Sequence, residues 1–153
     1  MSNPIFLDSG TIKFPMFDTR IVGTDNIVLR PALPHTTLTV GTLYAIHPGI
    51  TGNVTAALAD NALVYRVGVA LEAAVTSTTK VTWLQTGGYY AGLTTTTLSV
   101  SAGHTLGILD GAIADDGAAV PIRHYSFAIN VTATTSATSH NVILLDREVR
   151  AST

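Results

Sequence analysis

Residues 66–93 read RVGVALEAAVTSTTKVTWLQTGGYYAGL. The stretch opens on an apolar run at 67–71, passes through a patch of small residues and threonines, and resumes as a second run around 81–85. In that second run Lys80, Thr82 and Leu84 alternate with Thr79, Val81, Trp83 and Gln85. This is the period-two pattern of a strand, whose successive side chains point to opposite faces. Gly87-Gly88 and the pair Tyr89-Tyr90 follow. Paired glycines after a strand-like run signal a tight connection. The sequence therefore predicts two strands, a turn at Gly87-Gly88 and a third strand, with the rest of the chain folded around them.

The flanks carry the same period. In TTLTVGTLYAIH (36–47), Leu38, Val40, Thr42, Tyr44 and Ile46 share one parity, which predicts a strand with one face on a core. Residues 50–62 predict a loop with at most a helical turn, since short helices are marginal in water. Within 91–110, Leu98 and Val100 oppose Ser99 and Ser101, Ala102-Gly103 predicts a turn, and Thr105 to Leu109 a strand. Asp110-Gly111 and Asp115-Asp116-Gly117 also read as turns. After residue 118, Arg123, Tyr125, Phe127, Ile129 and Val131 form an aromatic-bearing face, and Val142 to Leu145 the last strand. The charges clustered from Asp146 to Arg150 read as a solvated or intersubunit edge. About eight short strands without a helical period predict an all-β fold, a small antiparallel β-barrel or β-sandwich.

Residues 1–35 differ. Pro4, Pro15, Pro31 and Pro34 leave room only for short extended pieces. Yet the segment holds Phe6, Phe14, Met16 and Phe17, large apolar side chains that need covering. The expected organisation is an extended N-terminal arm over 1–35 and a β-barrel domain over 36–153. Two readings of the arm stand side by side: a strand packed on its own domain, or a contact onto a neighbouring subunit or another protein.

Composition narrows the function classes. Charged residues are 12% of the chain, about half the usual share, and the formal net charge is −2. Nucleic acid selects for clustered Lys and Arg, and the eight basic residues here are scattered. Threonine is the outlier, at 24 of 153 residues, and suits a half-buried pleated surface. Cysteine is absent, which removes disulfides, thiolate metal sites and a cysteine nucleophile. No apolar run reaches the roughly 18 to 20 residues of a membrane span, and MSNPIFLDSG lacks the pattern of a secretory signal. Asn53 and Asn130 stand in glycosylation-type triplets, which carry little weight without such a signal.

The sequence carries no catalytic signature. His35, His47, His104, His124 and His140 show no HExxH spacing, and no serine sits in GxSxG. The run DGAIADDG does not match a calcium loop. Glu72 reads as a strand-end carboxylate in water. The expectation is a non-enzymatic protein without cofactor or metal. Trp83, Tyr89, Tyr90 and Phe127 are the expected core or interface anchors. Gly87, Gly88, Gly103 and Gly111 are the expected turn residues.

The fragments GVALEAA (68–74) and VTWLQTGG (81–88) resemble the capsid decoration, or cement, proteins of tailed phages. In that family's pattern a GVA.EAA strand precedes a V.VQ..G strand. A later AG..L...DG element corresponds to Ala102, Gly103, His104, Thr105, Leu106, Asp110 and Gly111. The similarity spans residues 41–120; the arm and the last strands match only in general character. The resemblance implies an extended N-terminal segment followed by a small β-barrel. It implies a virion protein on the outer surface of the head, assembled in the host cytoplasm. Its partners would be the major capsid protein, bridged near three-fold positions, and further copies of itself, as a trimer. Phe6, Phe14, Met16 and Phe17 would be the capsid or neighbour contacts, without nucleic acid or membrane. The alternatives are a phage tail, baseplate or fibre accessory module, and a carbohydrate-binding β-sandwich in which Tyr89 and Tyr90 face a sugar.

Overall fold

The computed structural model describes residues 6–8, 11–13, 21–22, 26–50, 52–58, 64–118, 123 and 125–150; at 6–8, 11–13, 21, 64 and 118 the description covers the backbone. Thirteen strands run through these residues: β1 (Phe6–Asp8), β2 (Thr11–Lys13), β3 (Ile21–Val22), β4 (Val28–Ala32), β5 (Leu43–Pro48), β6 (Asn53–Ala56), β7 (Val64–Ala70), β8 (Thr82–Val100), β9 (His104–Leu109), β10 (Ala112–Ala118), β11 (Ser126–Asn130), β12 (Thr134–Leu145) and β13 (Glu148–Arg150). The fold is all-β and antiparallel, a curled sheet that forms a half-barrel.

Eleven strands make one sheet with the order β10-β9-β11-β12-β8-β7-β5-β6. β13 pairs with β7, β4 with β8, and β3 with β4. β1 and β2 form a separate two-stranded sheet, with Phe6 opposite Lys13, Leu7 opposite Ile12 and Asp8 opposite Thr11.

β8 is the spine, and its length is a correction to the sequence reading. It runs unbroken for 19 residues through Gly87-Gly88, where a turn was expected. A strand rises roughly 3.4 Å per residue, so one this long cannot stay straight inside a domain of this size. It bends instead. Gly88 and Gly92 have φ of +86° and +85°, and the pairing slips between Val28 and Leu29 on β4 and at three points along β12. Such slips are β-bulges, which bend a strand and increase its twist. Gly88 thus helps curl a continuous strand; a glycine at positive φ serves some bulges and some turns alike, which is why sequence did not separate them. One edge of β8 carries β12 and then β7, while β4 lies on the other beside Thr82 to Gly87.

The core fills the concave side. Leu43, Val67, Val69, Leu93, Leu106, Ile108, Phe127, Val142, Leu144 and Val149 are buried in one cluster, against which Tyr90 and Leu98 pack. A second cluster, Ala32, Leu38, Tyr44, Ile46, Ala70 and Leu84, sits where β4, β5, β7 and β8 meet. β5 is buried at four successive positions, Leu43 to Ile46. The strand expected over 36–47 is accordingly displaced to 43–48. Leu38 is buried through an isolated bridge to Ala74 rather than a strand.

Two further expectations change. Residues 53–56 form β6 where a loop was expected. Asp115 and Asp116 lie in β10, and the residue slip there, between Asp115 and Gly117, is a bulge rather than a turn. By contrast Asp110-Gly111 connects β9 to β10 as a two-residue hairpin, Leu109 facing Ala112. Their φ values of +49° and +72° suit a type I′ turn, whose twist matches that of the flanking strands.

Candidate interaction surfaces

Four strands adjacent in the sheet, β9, β11, β12 and β8, contain no Asp, Glu, Lys or Arg. The eight basic and ten acidic residues all lie elsewhere in the chain. Charges reappear on the flanking strands, with Asp115 and Asp116 on β10, Arg30 on β4 and Arg66 on β7.

The outer face of this uncharged block carries a row of apolar side chains. Ile129 on β11 faces Ile143 on β12, which faces Tyr89 on β8. Direct cross-strand partners share a face, and this face is opposite the core-lining Ala128, Val142, Leu144 and Tyr90. Tyr89 is 50% and Ile143 43% exposed, and Ile129 is half-buried. Past Leu93 and His140, β8 and β12 continue as a ribbon in which each is the other's strand partner. Residues 94–99, TTTTLS, and 134–139, TTSATS, are exposed or half-buried throughout. Buried His140 fixes the ribbon's base. Its Nε2 lies 3.2 Å from the Ala137 carbonyl and its Nδ1 3.1 Å from the Thr134 hydroxyl. The carbonyl can only accept, so Nε2 is the donor to it.

A second site locks the N-terminal segment to the body. Arg30 on β4 grips Asp146 with both ends of its guanidinium, Nε to Oδ1 at 2.9 Å and Nη2 to Oδ2 at 3.1 Å. Thr86 on β8 donates to the same Oδ1 at 2.7 Å. Arg66 Nη1 on β7 donates to the Asp146 carbonyl at 2.8 Å and reaches Oδ1 at 3.4 Å. Burial pushes the Asp146 carboxyl up, but hydrogen bonds from Arg30 and Thr86 and the charges of Arg30 and Arg66 prevail and hold it below its usual range. The charged segment at 146–150, read from sequence as a solvated or intersubunit edge, therefore begins with a largely buried ion pair. Val149 beside it is buried in the core.

A third cluster sits where β9, β10 and β11 meet. Asp116 is buried and accepts from Ser126 Oγ at 2.6 Å and from the Thr105 hydroxyl. Arg123 Nη1 donates to its backbone carbonyl at 2.6 Å. Burial raises the Asp116 carboxyl above its usual range despite Ser126 and Arg123. Asp115 turns to His104, whose Nδ1 is 3.0 and 3.1 Å from the two carboxylate oxygens. Each carboxylate is thus occupied by neighbours of its own sheet. Elsewhere, two adjoining depressions of about 560 and 330 Å3 lie beside residues 72–82. Small and hydroxyl side chains line them, and the two charged members, Glu72 and Lys80, are exposed.

The structure scatters the residues singled out in the sequence. Phe127 is buried in the core, and Tyr90 packs against it from β8. Trp83 is half-buried on β8 opposite Pro31. Tyr89 points outward. Gly103 lies in the turn between β8 and β9 and Gly111 in the turn after β9, whereas Gly87 and Gly88 lie within a strand. Phe14, Met16 and Phe17 lie outside the described residues, as does the side chain of Phe6. Both glycosylation-type asparagines are buried. Asn130 Nδ2 is committed to the carbonyls of Val100, Ser101 and Thr132 at 2.8 to 3.2 Å. Sequence reasoning missed Arg30, Thr86 and Asp146, whose pairing spans 116 residues in one case and 60 in the other. The uncharged strands were legible as gaps in the charge pattern.

No family model matches the chain, and no curated protein matches it in sequence. Among solved structures, the head fiber gp8.5 N base of bacteriophage phi29 aligns with a TM-score of 0.49 and 13% identity, covering 80% of this chain and 98% of that one.

Proposed function

We propose that this protein is a structural component of a phage virion. It binds the outer surface of the head and bridges major capsid protein subunits near three-fold positions, stabilising the expanded shell. The sequence fragments quoted above support the family reading. The observation that carries the capsid contact is the build of the N-terminal segment. β4 is stitched along β8 and clamped by Arg30 to Asp146. Ahead of it, β1 and β2 form a hairpin outside the main sheet. A lone two-stranded hairpin is marginal in water, so it gains stability by pairing with or packing on another surface. An arm fixed at one end and ending in a hairpin is suited to strand addition on a neighbouring protein. Protein bound only to the assembled shell stabilises that shell by linkage.

The test is co-sedimentation of the full chain with expanded, undecorated heads. Binding should saturate and raise the temperature at which the heads release DNA. A doubly substituted arm, Phe14→Ser with Phe17→Ser, should bind more weakly while keeping the wild-type melting temperature. If the protein stays in the supernatant when heads of every tested phage of its host are pelleted, it is not a head protein.

A further inference from the structure

β4 enters the sheet along the edge of β8 opposite β12, so it pairs with none of β9, β11 and β12. Charge is what keeps most protein surfaces hydrated and apart. Here four neighbouring strands contribute none of it, and Ile129, Ile143 and Tyr89 stand in register on the outer face of β11, β12 and β8, while at the β9 end of that row Thr105 meets the buried Asp116 carboxylate. Interface cores are depleted in charged residues and enriched in tyrosine. β8 and β12 continue into a ribbon of threonine, serine and alanine, exposed or half-buried along its length, with Leu98 packed against the core. A two-stranded ribbon gains little stability from its own pairing.

We infer that this face is the self-association surface, and that its occupant is a second copy of the same chain. Charge matching selects the occupant. An uncharged surface is best met by another uncharged surface, because a charged partner would lose the hydration of its ions without gaining counter-charges. The chain's own copy offers such a surface, of the same extent and with the same apolar row. The rest of the chain holds all eighteen charged residues, at a net of −2. The copies associate through β12 and β8, with Tyr89 and Ile143 at the centre and the hydroxyl-lined ribbons alongside. The inference gives a surface to the self-association that the family resemblance implies, and it is tested without capsids.

Sedimentation equilibrium of the wild-type protein should give an integer multiple, above one, of the 16.0 kDa chain mass. Tyr89→Asp or Ile143→Asp places a charge in the apolar row and should return the mass to that of one chain, with the circular dichroism spectrum unchanged. Tyr89→Phe should leave the oligomer intact. Thr96→Asp combined with Thr138→Asp, both on the exposed ribbon, repeats the test without touching the sheet, should a substitution in the row unfold the protein. A wild-type monomer overturns the inference, and so does an oligomer that survives the charged substitutions in folded protein. If the wild type is monomeric and Tyr89→Asp instead abolishes binding to heads, the face belongs to the capsid protein and the inference falls, while the proposed function stands.

Discussion

At Asp146 three strands converge on one carboxylate, while Asp116 sits equally enclosed but among hydroxyls. The two differ in the sign of their response to pH. Asp146 is held below its ordinary value, so it contributes stability that is present above about pH 4 and is lost as pH falls through its folded value. Asp116 is held above its ordinary value, so its ionised form opposes folding at neutral pH and that penalty lifts on acidification. Asp146→Asn strands two guanidinium groups in largely buried surroundings. The expected loss is about 3 kcal/mol by urea denaturation at neutral pH, shrinking below pH 4. Asp116→Asn should cost less at neutral pH than in acid, since an amide can keep one hydroxyl as donor and offer its own hydrogens to the other. Opposite pH slopes for the two variants would support the two networks; parallel slopes would contradict them.

Glycine substitutions separate strain from crowding at the same scale. Gly88 has φ of +86°, and an added Cβ would meet the Asn26 carbonyl at 2.8 Å and the Ile27 Cα at 2.9 Å. Gly103 has φ of +80° but open space around it. Gly103→Ala should therefore cost about 1 to 2 kcal/mol, the penalty of the left-handed conformation alone. Gly88→Ala should cost distinctly more and loosen β4, because backbone cannot yield as a flexible side chain can. Equal losses in thermal denaturation would contradict the role given to Gly88.

Among the elements, β8 shows what alternation can and cannot convey. The pattern Thr82, Leu84 against Trp83, Gln85 marked a strand, and it is one. That the strand continues through Gly87-Gly88 was not readable, since positive φ serves a turn and a bulge alike. Asp110-Gly111 was readable because it separates two apolar runs by two residues, the spacing a hairpin needs. Asp115-Asp116 misled for a related reason: residues favoured in turns also occupy bulges, and their side chains here are held by His104, Thr105 and Ser126. The β1–β2 hairpin supplies a prediction at this scale. Its amides should exchange with deuterium within seconds to minutes in the isolated protein, while those of β8, β9 and β12 are protected for hours or longer. Addition of heads should slow the hairpin amides; unchanged exchange in head-bound protein would remove the hairpin from the contact.

For the whole molecule, fold class was legible in composition and period, because threonine, valine and isoleucine at alternate positions have few other ways to bury their apolar halves. The sites were less so. An arm was marked out by its prolines, but its clamp at Asp146 depends on residues distant in sequence, and the apolar row depends on a register set by three bulges along β12. The resulting division is spatial: β4 lies along one edge of β8, and β12, with β11 and β9 beyond it, along the other. The most direct measurement is a cryo-electron microscopy difference map between undecorated, expanded heads and the same heads incubated with the purified protein. Added density is expected on the outer surface at three-fold or local three-fold positions, with the N-terminal segment running onto capsid protein. Heads that acquire no density, or density confined to the tail, would contradict it.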